Sequence, residues 1–131
     1  MTFPSAPGAR PRPGGGFELW SWFFMRISGL VLLILAVVHL LWMHIYIGLE
    51  NITFDTIAGR WTGSLGPLWR VYDLALLAFA LTHGMNGARW VVDDYIHSRG
   101  WNVGVKSVLW VLYALLIMAG AYVIFSFRIS G

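Results

Sequence analysis

Residues 27–49 read ISGLVLLILAVVHLLWMHIYIGL, a run without a single Asp, Glu, Lys or Arg. A bilayer core takes roughly 20 apolar residues as α-helix, so this run is long enough to cross one. In hydrocarbon every backbone N–H and C=O must be satisfied within the segment, which makes helix the form such a run takes. Two further runs follow. Ser107–Phe127 is equally free of charge, and Leu74–Ala88 is a shorter uncharged run that extends to Trp69–Val92 if its end charges are admitted. The pattern predicts an all-α integral membrane protein with three transmembrane helices, over about 21–48, 68–95 and 104–128.

Composition agrees. The chain of 131 residues is 58% hydrophobic and 11% charged, where an ordinary soluble domain is about 25% charged. Its mean hydropathy is +0.68. There are no cysteines, which excludes disulfides, thiolate metal sites and iron–sulfur ligation by this chain. The isoelectric point near 9.7 does not indicate a nucleic-acid partner, because the basic residues are spread along the chain and form no stripe or patch. Three alternating spans put Arg10, Arg12, Arg26, Arg89, Arg99 and Lys106 on one side and Arg60, Arg70 and Arg128 on the other. The side richer in Lys and Arg belongs in the cytoplasm, so the N-terminus is expected inside. Trp20, Trp22, Trp42, Trp61, Trp69, Trp90 and Trp101 fall near expected helix ends, where indole rings anchor at the interface.

Residues 1–16 (MTFPSAPGARPRPGGG) are rich in Pro, Gly and Arg and are expected to form a flexible cytoplasmic tail. The remainder, 17–131, reads as one three-helix anchor domain. Phe17–Trp22 is aromatic and amphipathic and is expected to lie along the interface before the first span. Residues 50–66 are expected as a loop, broken by Gly59, Gly63, Gly66 and then Pro67, and His97–Val103 as a second loop. A three-helix bundle of this size encloses little, which points to a subunit packed against other membrane helices. Sequence motifs for phosphate loops, HExxH metal sites and nucleophile elbows are all missing.

Ionisable residues in a membrane span are costly and usually face the bundle interior. His83 sits mid-span among apolar and small residues, in the stretch His83-Gly-Met-Asn-Gly-Ala-Arg-Trp-Val-Val-Asp-Asp-Tyr95. At about 100° per residue, His83, Gly87, Trp90 and Asp94 share one stripe of a helix, and Gly84, Ala88, Val91 and Tyr95 form the stripe beside it. Small residues let a flat, bulky group or another helix come close, and an imidazole in apolar surroundings is a good axial ligand for haem iron. A haem b held by His83 is one reading, and a hydrogen-bonded histidine between packed helices is the other. Spacing alone leaves both open.

Asp94 and Tyr95 lie roughly 16–18 Å further along the helix. Arg26, taken as the start of the first span, is expected at their depth, with Ser28 close enough to share a site. There Arg26 could pair with haem propionates or polarise a quinone carbonyl, Tyr95 could donate to a quinone oxygen, and Asp94 could relay protons. The plainer reading of Arg26 is a snorkelling anchor, and that of Asp94 and Tyr95 is a helix end meeting water. His39, mid-way along the first span, is either a second iron ligand or a histidine bonded to a neighbouring helix. Arg70 and Asp73 read as end charges.

These residues resemble a known family. His83 to Tyr95 resembles the H-x-x-x-G-x-x-x-x-x-x-D-Y signature of the small hydrophobic membrane anchor subunit of succinate dehydrogenase (complex II, succinate:quinone oxidoreductase), and Phe24-Met-Arg-Ile-Ser-Gly29 resembles the Arg-containing start of the first helix in the same subunits. The resemblance covers residues 17–128. It implies that His83 is an axial ligand of haem b, the other ligand coming from a second anchor subunit. It implies that Tyr95 hydrogen-bonds the quinone (ubiquinone or menaquinone), with Asp94 beside it, and that Arg26 lies near the propionates and the quinone. Ser28 matches less closely, since the family's quinone-contacting serine usually belongs to the partner anchor. The implied assembly adds an iron–sulfur subunit and a flavoprotein subunit at the cytoplasmic membrane, so this chain is expected to have no activity alone. An anchor of a quinol:fumarate reductase and a haem-free structural anchor are the alternatives. A transporter subunit would spread polar groups through the membrane depth, and the third span carries almost none.

Overall fold

The computed structural model of the chain describes residues 16–126. Four α-helices follow in order: α1 (Phe17–Leu41), α2 (Phe54–Thr62), α3 (Gly66–Tyr95) and α4 (Arg99–Ser126). A π-helical stretch, Trp42–Gly48, and a 3₁₀ turn, Leu49–Asn51, prolong α1. No strand occurs among the described residues. The expected tail over 1–16 lies outside the described residues except for Gly16, as does the far end of the third expected span.

α1 with its continuation to Asn51, and α4, are each long and apolar enough to cross a membrane. α3 becomes so only together with α2, across a bend of 111°. Asp73, Thr82, His83, Asn86 and Arg89 dilute its leucines. Length and composition therefore establish two spans, or three if the bent pair counts as one.

α3 packs against each of the other three helices. Its register on α1 is antiparallel: Ser21 bonds Asn86, Ser28 bonds His83, and the Tyr72 hydroxyl donates to the Leu35 carbonyl. Its register on α4 is antiparallel too, from Asp93 with Lys106, through Thr82 with Tyr113 at 3.1 Å, to Arg70 Nη1 donating to the Phe125 carbonyl at 3.4 Å. At Gly120 α4 lies close against α3: a Cβ there would lie 2.4 Å from Leu77 Cδ2.

Few apolar side chains are buried among the described residues: Met43, Ala58, Trp61, Val92 and Ile124. Leu30, Leu33, Ile34, Leu112, Leu115 and Leu116 are exposed. In water such a surface would aggregate. Lipid and partner helices are as apolar as leucine, so in a membrane it carries no such cost.

The expected loop over 50–66 holds a helix instead. Thr53 caps α2, its hydroxyl accepting from the Thr56 amide at 3.3 Å. Asp55 in the first turn and Arg60 in the last suit the helix dipole. Gly59 lies inside this helix and Gly63 ends it. At the corner into α3, a Cβ on Gly66 would sit 2.3 Å from the Trp61 carbonyl oxygen, so only glycine fits there. Pro67 then occupies the first turn of α3, where its missing N–H costs nothing. The second expected loop is also shorter than its residues imply, because α4 already begins at Arg99.

Candidate functional site

His83 is half-buried on α3, with its ring against Ser28 and Gly29 of α1. Ser28 Oγ lies 2.7 Å from His83 Nδ1. A Cβ on Gly29 would be 3.6 Å from His83 Cε1, so the ring edge rests on the α1 backbone. Ser28 is 0% exposed, and its hydroxyl has one further partner, the Met25 carbonyl at 3.5 Å. His83 Nε2 makes no hydrogen bond among the described residues. An imidazole fixed through Nδ1 with Nε2 free is the arrangement a metal-ligating histidine takes, so His83 fits the role of an axial haem ligand. No cluster of three or more His, Asp and Glu capable of holding a metal ion occurs among the described residues.

The small residues near His83 divide between two neighbours. Gly87 packs on α1, where a Cβ would meet Met25 Cε at 3.6 Å. Gly84 has nothing within 4 Å of such a Cβ. It lines a groove of about 240 Å³ with Ala88, Met85 and the α4 residues Leu109, Leu112 and Leu116.

Arg26, Asp94 and Tyr95 are not gathered at one depth. α1 begins at Phe17, so Arg26 lies about two and a half turns inside it. The register pairs Glu18 with Arg89 and Ser28 with His83. Arg26 therefore stands near the level of His83, roughly 15 Å along the helix from Asp94. It is exposed, its guanidinium 4.3 Å from the Trp22 ring centre. Asp94 is exposed, and Tyr95 closes α3 at 79% exposure. Neither has a hydrogen-bond partner among the described residues.

The same end of the bundle holds a polar network that a search restricted to ionisable residues misses. Ser21 Oγ donates to Asn86 Oδ1 at 2.8 Å. Arg89 reaches Glu18 Oε1 at 2.9 Å and Ser21 Oγ at 3.2 Å, with its guanidinium 5.1 Å from the Phe17 ring centre. Asn86, one turn from His83, was the available signal: an amide in a span needs a partner. Asn102 Nδ2 donates to Asp93 Oδ1 at 3.0 Å, and Lys106 pairs with the same carboxylate. A pocket of about 240 Å³ opens beside this network, lined by Trp20, Phe24, Asn86, Arg89 and Tyr113 among others.

The opposite end holds a buried charge cluster. Asp73 is 8% exposed, and its carboxylate pairs with Arg60 and accepts from Trp61 Nε1 at 2.7 Å. It is therefore no end charge. Arg70 Nε donates to the Trp61 carbonyl at 3.2 Å. Arg60 also reaches Met43 Sδ at 3.3 Å and lies 5.1 Å from the Trp69 ring centre. His39 Nδ1 is 3.6 Å from Asp73 Oδ1. His39 and Ser28 are eleven positions apart on α1, so His39 stands roughly 16 Å along the axis from His83. An iron held by His83 is out of its reach.

A scan against family models matches residues 12–124 to the succinate dehydrogenase/fumarate reductase transmembrane subunit. No curated relative matches the chain. The match spans most of the sequence, including all of α1 and α3 and nearly all of α4. The chain belongs to this family of membrane subunits and is an integral membrane protein associated with the other subunits of an oxidoreductase complex.

Proposed function

We propose that this chain is the small anchor subunit of a succinate:quinone oxidoreductase in the cytoplasmic membrane. It crosses three times with its N-terminus inside and supplies His83 as one axial ligand of a haem b. A second anchor subunit supplies the other ligand, and the iron–sulfur and flavoprotein subunits dock on the cytoplasmic side. The observation that carries the reading is His83 itself, held through Nδ1 by buried Ser28, with Nε2 free.

The third span rests on how α3 disposes of its polar groups. Thr82 bonds Tyr113, Asn86 bonds Ser21, and Arg89 and Asp73 are each paired with a neighbouring helix. Paired in this way, polar residues are tolerable at membrane depth, and thirty residues of helix reach about 45 Å. The N-inside orientation rests on Arg89, Arg99 and Lys106 standing at one end while Arg60 and Arg70 stand at the other.

When bound, the haem supplies a one-electron store within the membrane. The residues of this chain hold and orient it. His83 presents a neutral nitrogen. Arg26, exposed on α1 near the level of the imidazole, offers a cation to the propionates. Asp94 and Tyr95, at the exposed end of α3, offer a carboxylate for proton exchange with water and a phenol to donate to a quinone oxygen. Their exposure suits a site completed by another subunit.

A reduced-minus-oxidised visible spectrum of the intact purified complex tests this, with His83→Ala beside the wild type. A b-type α-band in the wild type and its loss in the variant are expected. A b-type band unchanged in the variant would remove the ligand role. A wild-type complex with no haem would leave a structural anchor. An anchor of a quinol:fumarate reductase remains the second reading within the family, and the cofactor potentials of the whole complex separate the two.

A further inference from the structure

We infer that Ser28 is a positioning residue for the haem ligand, not a quinone contact: its hydroxyl accepts the Nδ1 hydrogen of His83 and so leaves the Nε2 lone pair for iron. This rests on the reading of His83 as an axial ligand. A serine hydroxyl has one hydrogen and two lone pairs. Two atoms face Ser28 Oγ, His83 Nδ1 at 2.7 Å and the Met25 carbonyl at 3.5 Å. The carbonyl can only accept, so it offers the hydroxyl hydrogen a place, a long one at 3.5 Å, and Oγ can then accept from Nδ1–H. The reverse polarity, Ser28 donating to Nδ1, would place the imidazole hydrogen on Nε2. There it would block an iron bond and find no acceptor among the described residues.

Burial makes the arrangement specific. Among the described residues Ser28 is fully buried, so its hydroxyl is closed to water and to a quinone. Gly29 keeps the α1 backbone at van der Waals distance from the ring edge, with 3.6 Å to a Cβ at that position. The hydrogen bond and the glycine together hold the ring in one rotation. An acceptor on the far nitrogen raises the basicity of a ligating imidazole. A more basic imidazole stabilises ferric over ferrous iron, so the hydroxyl keeps the haem potential lower than an unpartnered ring would.

The test uses the intact complex with Ser28→Ala, Ser28→Thr and His83→Ala. The readouts are haem midpoint potential, the low-spin ferric electron paramagnetic resonance spectrum and quinone KM. Ser28→Ala is expected to shift the potential upward and alter the ferric spectrum, with quinone KM unchanged. Ser28→Thr, which keeps the hydroxyl, is expected to restore both haem properties. If Ser28→Ala loses the haem altogether, restoration by Ser28→Thr supports the inference and failure to restore overturns it. A raised quinone KM with wild-type potential and spectrum overturns it as well, and returns Ser28 to the quinone. Retention of the haem in His83→Ala overturns the ligand reading itself, whatever the Ser28 variants do.

Discussion

Two histidines stand at different levels of the same helix pair, and their partners set them apart. His83 meets a hydroxyl, Ser28, which is itself neutral and buried. His39 meets a carboxylate, Asp73, already committed to Arg60 and Trp61. A hydroxyl can orient a neutral imidazole and leave its other nitrogen free for a metal. A carboxylate shared with a guanidinium ties α2 to α3 and leaves His39 Nδ1 at 3.6 Å without a hydrogen bond among the described residues. Residue type is the same at both places, so function here follows from the second residue of each pair.

The largest effect that would break the comparison is at Asp73. If the cluster is a clamp, Asp73→Ala strands the Arg60 guanidinium inside the bundle, at a cost of about 3–5 kcal/mol. Thermal unfolding of the complex in detergent should show it. A loss below about 0.5 kcal/mol, as for an ordinary surface substitution, would return Asp73 to the role of an end charge.

Gly66→Ala comes next. The new Cβ would run into the Trp61 carbonyl, and backbone cannot swing aside as a side chain does. A destabilisation of about 1–3 kcal/mol is expected, the range for overpacking, and it should couple with Asp73 variants because the same corner presents Trp61 to the carboxylate. Strict additivity of the two in a double-mutant cycle would mean that the corner and the clamp are independent.

Gly120→Ala places a Cβ 2.4 Å from Leu77 Cδ2. That contact is the end of a flexible side chain, so a cost of about 1 kcal/mol is expected, at the low end of the overpacking range. Leu77→Ala in the same chain should relieve the clash, and failure to do so would locate the strain elsewhere.

The smallest effect belongs to the Glu18–Arg89 pair. Its carboxylate side chain is 66% exposed, so Glu18→Gln should cost little stability and the loss should shrink as salt is raised. A larger, salt-insensitive loss would mean that another subunit buries this pair in the complex.

The candidate residues of the site are legible one at a time. His83 stood out because an ionisable group in an apolar run demands a reason, and its distance to Asp94 and Tyr95 follows from helical rise alone. The depth of Arg26 was not legible. Its place depends on where α1 begins, and Phe17–Trp22 continues the helix instead of lying as a separate interfacial segment. The direction of Ser28 was not legible either, since a hydroxyl on a helix bonds whatever the neighbouring helix brings to it.

Transfer free energy acts on each segment separately, so the sequence by itself determined that the chain is helical, that it belongs in a membrane, and which residues are too polar to be there without cause. Contacts between helices obey no such local rule. That Asp73 takes Arg60, that residues 54–62 coil into α2, that His39 stands far from His83, and that Ser28 meets the imidazole all depend on the rotation and register of one helix against another. Those are chosen by the packing of the whole bundle, through close approaches such as Gly29 on His83 and Gly120 on Leu77, and only the tertiary structure decided them.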